Sequence, residues 1–170
     1  MTTNPNFDEL ATKAFQPTAT SADYETLFAA VFSLPEWHFI AHGEFPNIAP
    51  YCALFPDFFG DQPAVLVFTD SARARKYMAE RDTKFGSPGN TIVLNSGDVQ
   101  LQFSSDNLVF SFPAGNILDY VEKLIPNGIV KIFFNPNTDS HGFHHDLKMM
   151  RPIYEHLEGK HLVSSDRSPT

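Results

Sequence analysis

The sequence predicts a domain of the α/β class: one mixed β-sheet of about five to six strands packed with three to four helices. Three observations carry this expectation. Short apolar runs rich in aromatic and β-branched residues alternate with stretches of helical period. One run, Ala64-Val-Leu-Val-Phe68, is continuously apolar, as befits a strand covered on both faces. A capping sequence, Thr69-Asp70-Ser71, follows it directly and opens a strand-turn-helix unit. With 170 residues, no repeat of fixed period and no low-complexity linker, residues 1–170 form one domain on this reading.

Taken in chain order, residues 1–20 mix polar positions with Phe7, Leu10 and Phe15, which could form a short helix or lie loosely on the body; residues 160–170 are expected to be loosely ordered. Thr20 or Ser21 caps a helix over Ala22 to Leu34, with Leu27, Phe28, Val31 and Phe32 on one face and Pro35 as its stop. Trp37 to Ala41, Tyr51 to Phe55 and Ala64 to Phe68 read as strands, the third central. The helix after Ser71 runs from Ala72 to about Arg81, turning Ala74, Tyr77 and Met78 inward. Thr91 to Leu94 and Val99 to Phe103 form a hairpin around Asn95 to Asp98, and Phe110 to Phe112 is a further short strand. Asn116 caps an amphipathic helix bearing Ile117, Leu118, Val121, Leu124 and Ile125, which Pro126-Asn127-Gly128 ends. Ile129 to Phe134 is the second strongly apolar strand, closed by Asn135-Pro136-Asn137. The last helix falls within His145 to Leu157, broken between Met150 and Ile153 by Pro152.

Composition narrows the function classes. Apolar residues make up 42% of the chain and charged residues 19%, so the chain can bury a core; its 17 Phe are expected to fill that core. The lone cysteine, Cys52, forms no internal disulfide and no Cys-based zinc pattern, which suits a reducing cytoplasm and an inert, buried thiol. The start, Met1 to Glu9, has neither the basic segment nor the apolar run of an export signal, and no apolar stretch reaches bilayer length; a cytoplasmic protein without membrane association is expected. Net charge is −8, and only residues 63–90 hold more cations than carboxylates, five against three. Nucleic-acid binding needs clustered phosphate-neutralising Lys and Arg, so no nucleic-acid partner is expected. The turn after Phe68 has no glycine to free backbone N–H groups for a phosphate, which disfavours a P-loop or Rossmann nucleotide site.

The segment Pro63-Ala-Val-Leu-Val-Phe-Thr-Asp-Ser-Ala-Arg-Ala, then Phe112-Pro113 ahead of an amphipathic helix, then Gly128-Ile-Val-Lys-Ile-Phe-Phe-Asn135-Pro136, resembles the N-terminal domain of SseB-like proteins, named for an enhanced serine sensitivity protein. The resemblance covers about residues 50–158; its most specific pieces are Val-Phe-Thr-Asp followed by an Arg-containing helix, and Phe134-Asn135-Pro136. It implies an α/β domain and brings no catalytic residues and no cofactor with it. The His-rich segment after Pro136 and the aromatic stretch from Trp37 to Phe59 depart from that family's pattern.

Candidate chemistry gathers in four places. Asp139-Ser-His141-Gly-Phe-His144-His145-Asp146 holds metal-ligating residue types; His141 could converge with His144 or with His145 across a turn, whereas adjacent His144 and His145 point apart in regular structure. A solvated loop and helix start is the plainer account, so no cofactor is assigned and a transition metal at His141, His144 and His145 stands as the rival reading. His38-x-x-x-His42-x-Glu44 has ligand spacing for a helix but lies in a strand and turn. Asp70 and Ser71 lack the Gly-x-Ser-x-Gly setting of a hydrolase nucleophile and are helix caps. For a protein partner, the candidates are the basic helix residues Arg73, Arg75, Lys76 and Arg81, suited to an acidic surface, and the aromatic residues Trp37, Phe58 and Phe59. A non-catalytic interaction domain is the leading expectation, with partner identity and oligomeric state left open.

Overall fold

A computed structural model describes residues 5–42, 49–85, 94–96, 99–104, 107–113, 116–136 and 142–163. Of the two readings open at the N-terminus, a short helix is the one observed, α1 (Phe7–Phe15): the Asn6 side chain accepts from the Glu9 N–H at 3.2 Å, Asp8 and Glu9 sit in its first turn, and Phe7, Ala11 and Ala14 are buried. Helix α2 (Ser21–Phe32) opens on a capping box, in which Thr20 Oγ1 accepts from the Asp23 N–H and Asp23 Oδ2 accepts from the Thr20 N–H at 2.9 Å. Then follow β1 (Glu36–His42), β2 (Ala49–Pro50), β3 (Cys52–Leu54), the four-residue helix α3 (Pro56–Phe59), β4 (Pro63–Val67) and α4 (Ser71–Phe85). The second half comprises β5 (Leu94–Ser96), β6 (Val99–Ser104), β7 (Asn107–Pro113), α5 (Ile117–Glu122), β8 (Lys131–Phe134), β9 (Phe143–Asp146) and α6 (Met150–Gly159).

The mixed α and β class is the one expected, with the described strands divided between two sheets. The first has the order β2-β1-β7-β6-β5 and is antiparallel throughout; the second has the order β3-β4-β8-β9, with β4 and β8 parallel. They are joined by backbone hydrogen bonds. His38 and Phe68 exchange a pair at 3.0 and 2.8 Å, and Tyr51 donates to Ile40 in one sheet while accepting from Leu66 in the other.

Side-chain alternation explains the continuous apolar run. Val65 and Val67 of β4 face a large core with α1, α2, α5 and α6, while Leu66 meets Phe68, Ile40 and the α4 residues Ala74 and Met78, and Ala64 meets Phe59 and Phe133. In the large core Phe134 stacks on Phe143 at 4.8 Å between ring centroids and meets the Trp37 ring edge-on at 5.2 Å. Gly142 is required by this packing, since a Cβ there would lie 2.8 Å from the Phe133 ring and 2.9 Å from two backbone oxygens.

Several boundaries differ from the sequence reading; α4, for one, runs on to Phe85, and α5 ends at Glu122. The expected strand over Tyr51 to Phe55 is only three residues long, because Pro56 starts α3 and Phe55 turns into it. His145 lies in a strand rather than at a helix start, and the chain enters α6 through a 3₁₀ turn over Leu147–Met149. Pro152 falls in the first turn of α6, where a missing N–H removes no intrahelical bond, so no break follows it. Beyond α6, Val163 is buried; residues 164–170 lie outside the described residues, as do 86–93, which include part of the expected strand from Thr91. Among the described residues no helix is long and apolar enough to cross a membrane.

Phe134→Ala is expected to cost about 3–5 kcal/mol, because the cavity opens where Phe28, Trp37 and Phe143 all meet the ring. Urea denaturation of the purified variant checks this.

Candidate functional site

The two most specific segments behind the family resemblance come together at the carboxyl ends of the parallel strands. Asn135 Oδ1 accepts from the Thr69 N–H at 3.0 Å, Asn135 Nδ2 donates to Thr69 Oγ1 at 3.0 Å, and the Asn135 N–H donates to the Val67 carbonyl at 2.8 Å. Both side chains are buried, and Asn135 takes a left-handed backbone (φ 51°), which Asn tolerates better than most residues. The arrangement fastens the end of β4 to the end of β8. Next to it Asp70 caps α4, Oδ1 accepting from the Arg73 N–H at 2.8 Å.

On the basic face of α4, Arg73 is bound by the protein's own acids. Arg73 donates through both terminal nitrogens to Asp8 at 3.0 and 2.9 Å and through Nε to Asp70 at 3.2 Å, a bidentate clamp that holds α1 against α4. The Asp8 carboxylate, and then Asp70, raise its affinity for the proton above that of an ordinary guanidinium. Arg73 therefore serves the fold rather than an incoming partner, a correction to the sequence reading. Lys76 lies 3.9 Å from Glu80, Arg75 is exposed, and the Arg81 side chain lies outside the described residues.

Trp37 is also corrected. It is 1% exposed, its Nε1 donates to the Val31 carbonyl at 3.0 Å, and its ring lies against Phe32 and Phe134, so it belongs to the core. The other two aromatic candidates do meet, on the opposite face of the second sheet. Phe59 is 8% exposed and packs on Phe55, Phe133 and His144, whereas Phe58 is 65% exposed and rests on Phe59 and Phe133 at 6.0 and 5.9 Å. Leu54 at the edge of that sheet is 57% exposed. Exposed Asp57 and Asp61 flank Phe58 in sequence, and Lys131, ion-paired to Asp146, lies 5.9 Å from the Phe59 ring centre. The result is an apolar projection with acidic neighbours. Composition pointed to this stretch without separating its buried rings from its exposed one; Pro56, which starts α3, was the available signal.

Strand β9 turns its two histidines to opposite faces. His144 meets Phe59 at 4.6 Å, and His145 meets Tyr24 and Phe28, each at 5.9 Å, so they cannot share one ion. The Leu147 N–H donates to Val130, which with the β8 register makes Ile132/His145 a hydrogen-bonded pair and aims the Asp146 N–H at the open edge. That N–H is taken by His145 Nδ1 at 2.8 Å, so the neutral ring carries its proton on Nε2 and the edge is partly blocked. His141, Glu44 and the His42 side chain lie outside the described residues, so the pairings that use them are not placed. Among the described residues no three His, Cys, Asp or Glu lie close enough to hold a metal. Cys52 is half-buried and its pKa is pushed up to about 11 by burial, which keeps the thiol protonated and a poor nucleophile. Comparison with protein-family models, curated proteins and solved structures finds no match.

Burial lowers the proton affinity of His38, His144 and His145 below the ordinary 6.5. The unfolded chain therefore binds protons more readily at these sites. Their contribution to stability is complete above pH 6.5 and is lost as pH falls through the folded-state values. Urea midpoints measured from pH 8 downward are expected to hold until about that pH and then decline. His145→Asn, which keeps an acceptor near the position of Nδ1, should remove part of the decline.

Proposed function

We propose that the chain is an SseB-like, non-catalytic binding domain of the cytoplasm, whose ligand is another protein received on the face around Phe58. The observation that carries this is the contrast within one aromatic cluster: Phe58 stands 65% exposed on the rings of Phe59 and Phe133, which are themselves buried. Leaving the Phe58 ring in water forgoes burial energy of about 1.5–3 kcal/mol, which a partner that covers it would recover. The acidic flank supplied by Asp57 and Asp61 selects a partner whose apolar contact is edged with Lys or Arg.

The SseB-like assignment is supported by the placement of its two most specific segments, since Thr69 and Asn135 bond each other at the ends of neighbouring parallel strands. A shared motif that forms one structural clasp is a fold signature, in keeping with a family expectation that includes no catalytic residues. The protonated, half-buried Cys52 suits a reducing compartment. The proposal places the contact on Phe58 rather than on the basic face of α4, where Arg73 is already bound to Asp8 and Asp70.

The test is retention from an extract of the cells that make the protein, with wild type, Phe58→Glu and Arg75→Glu as baits on a tag other than polyhistidine. A protein held by wild type and by Arg75→Glu, and reduced roughly tenfold or more by Phe58→Glu, is the expected result. Equal retention by all three baits, or turnover of a metabolite by the pure protein, would overturn the reading.

A further inference from the structure

On the other side of β9 from Phe58, α2 and α6 leave an open groove of about 450 Å³ between them. Its volume lies within the range of small-molecule sites. Buried Phe28 and Leu157 line it together with Tyr24, Met149 and Ile153, so its surface is mainly apolar. The charge on that surface is one-sided: the lining includes the carboxylate of Glu25 and the imidazole of His156, and no Lys or Arg.

Glu25 is held in place from the solvent side. His156 Nε2 lies 2.9 Å and Lys160 Nζ 2.6 Å from its carboxylate, and both contacts end on Oε1, so neither uses Oε2. The side chains differ in depth. Glu25 is 19% exposed, while Lys160 is 51% exposed and lies outside the lining, so the carboxylate belongs to the groove and the ammonium group to the rim. The ammonium of Lys160, with His156 second, keeps Glu25 below the usual carboxylate range, hence ionised at neutral pH. The Tyr24 ring, itself part of the lining, adds an aromatic surface attractive to a cation.

We propose that this groove binds a small organic amine, its apolar body on Tyr24, Met149 and Ile153 and its ammonium group on Glu25. Lys160 is then an internal competitor, a cation of the chain's own that holds the carboxylate while the groove is empty. The assignment is independent of the Phe58 contact, which uses the opposite face of the sheet.

Competition gives the two substitutions opposite signs. Calorimetric titration at pH 7.5 would compare 4-phenylbutylamine with its neutral analogue 4-phenylbutanol and its anionic analogue 4-phenylbutyrate. The amine is expected to bind about tenfold tighter than the alcohol, a difference of the size that charge-assisted hydrogen bonds supply. Glu25→Gln should abolish that preference, and Lys160→Met should strengthen amine binding. Equal binding of amine and alcohol, tighter binding of the acid, no binding of any of the three, or weaker amine binding in Lys160→Met would each overturn the proposal.

Discussion

Parallel pairing between β4 and β8 is the constraint on which the rest of this architecture depends. A parallel pair needs a long crossover, and the chain between these strands supplies it with α4, the β5-β6-β7 hairpins and α5. Both strands are covered on two faces, so each residue in them has to satisfy one of two packing environments. Val65, Val67, Ile132 and Phe134 belong to the large core; Leu66 and Phe133 belong to the smaller clusters behind it. The first sheet is then hung from this pair by the His38–Phe68 bridge and by Tyr51, whose backbone bonds to both sheets.

The same two-sidedness places the candidate surfaces. Where α4 covers the back of β4, Ala74 and Met78 are buried and two of its basic residues have internal partners: Arg73 ties α4 to α1 and Lys76 lies near Glu80. On the opposite face of β8, the described helix that packs on Phe133 is the four-residue α3, which buries Phe59 there and leaves Phe58 exposed. On the front, α2 and α6 bury Phe28 and Leu157 between them and leave the groove above these residues, beside Glu25. His144 and His145 lie back to back in one strand, each packed against the aromatic residues of one of these surfaces.

Much of the framework was legible in the residues. Ala64 to Phe68 announced a doubly covered strand, Thr20 with Asp23 announced the start of α2, and Asp70 caps α4 as its position suggested. Helix α1 was half legible: its apolar positions allowed a short helix, and the Asn cap followed by two acids and by Phe7, Ala11 and Ala14 at helical spacing favours it. Other features had no local signal. The strand Phe143–Asp146 has polar residues turned toward aromatic packing on both faces, so its alternation reads as surface and its histidines as a helix start. The Asp8–Arg73 clamp joins residues 65 apart, and the division between buried Trp37 and exposed Phe58 depends on which elements happen to cover each ring. Pattern reveals an element's faces; only the assembled layers decide which faces remain open.

Amide hydrogen exchange under native conditions tests the central role of the β4–β8 pair most directly. If the pair holds the architecture together, the amides that point across it, those of Val65, Val67, Phe133 and Asn135, will exchange only through global unfolding, with the highest protection in the chain. Protection there that falls below that of α2 or β1, lost through a local opening that leaves those elements intact, would contradict the account.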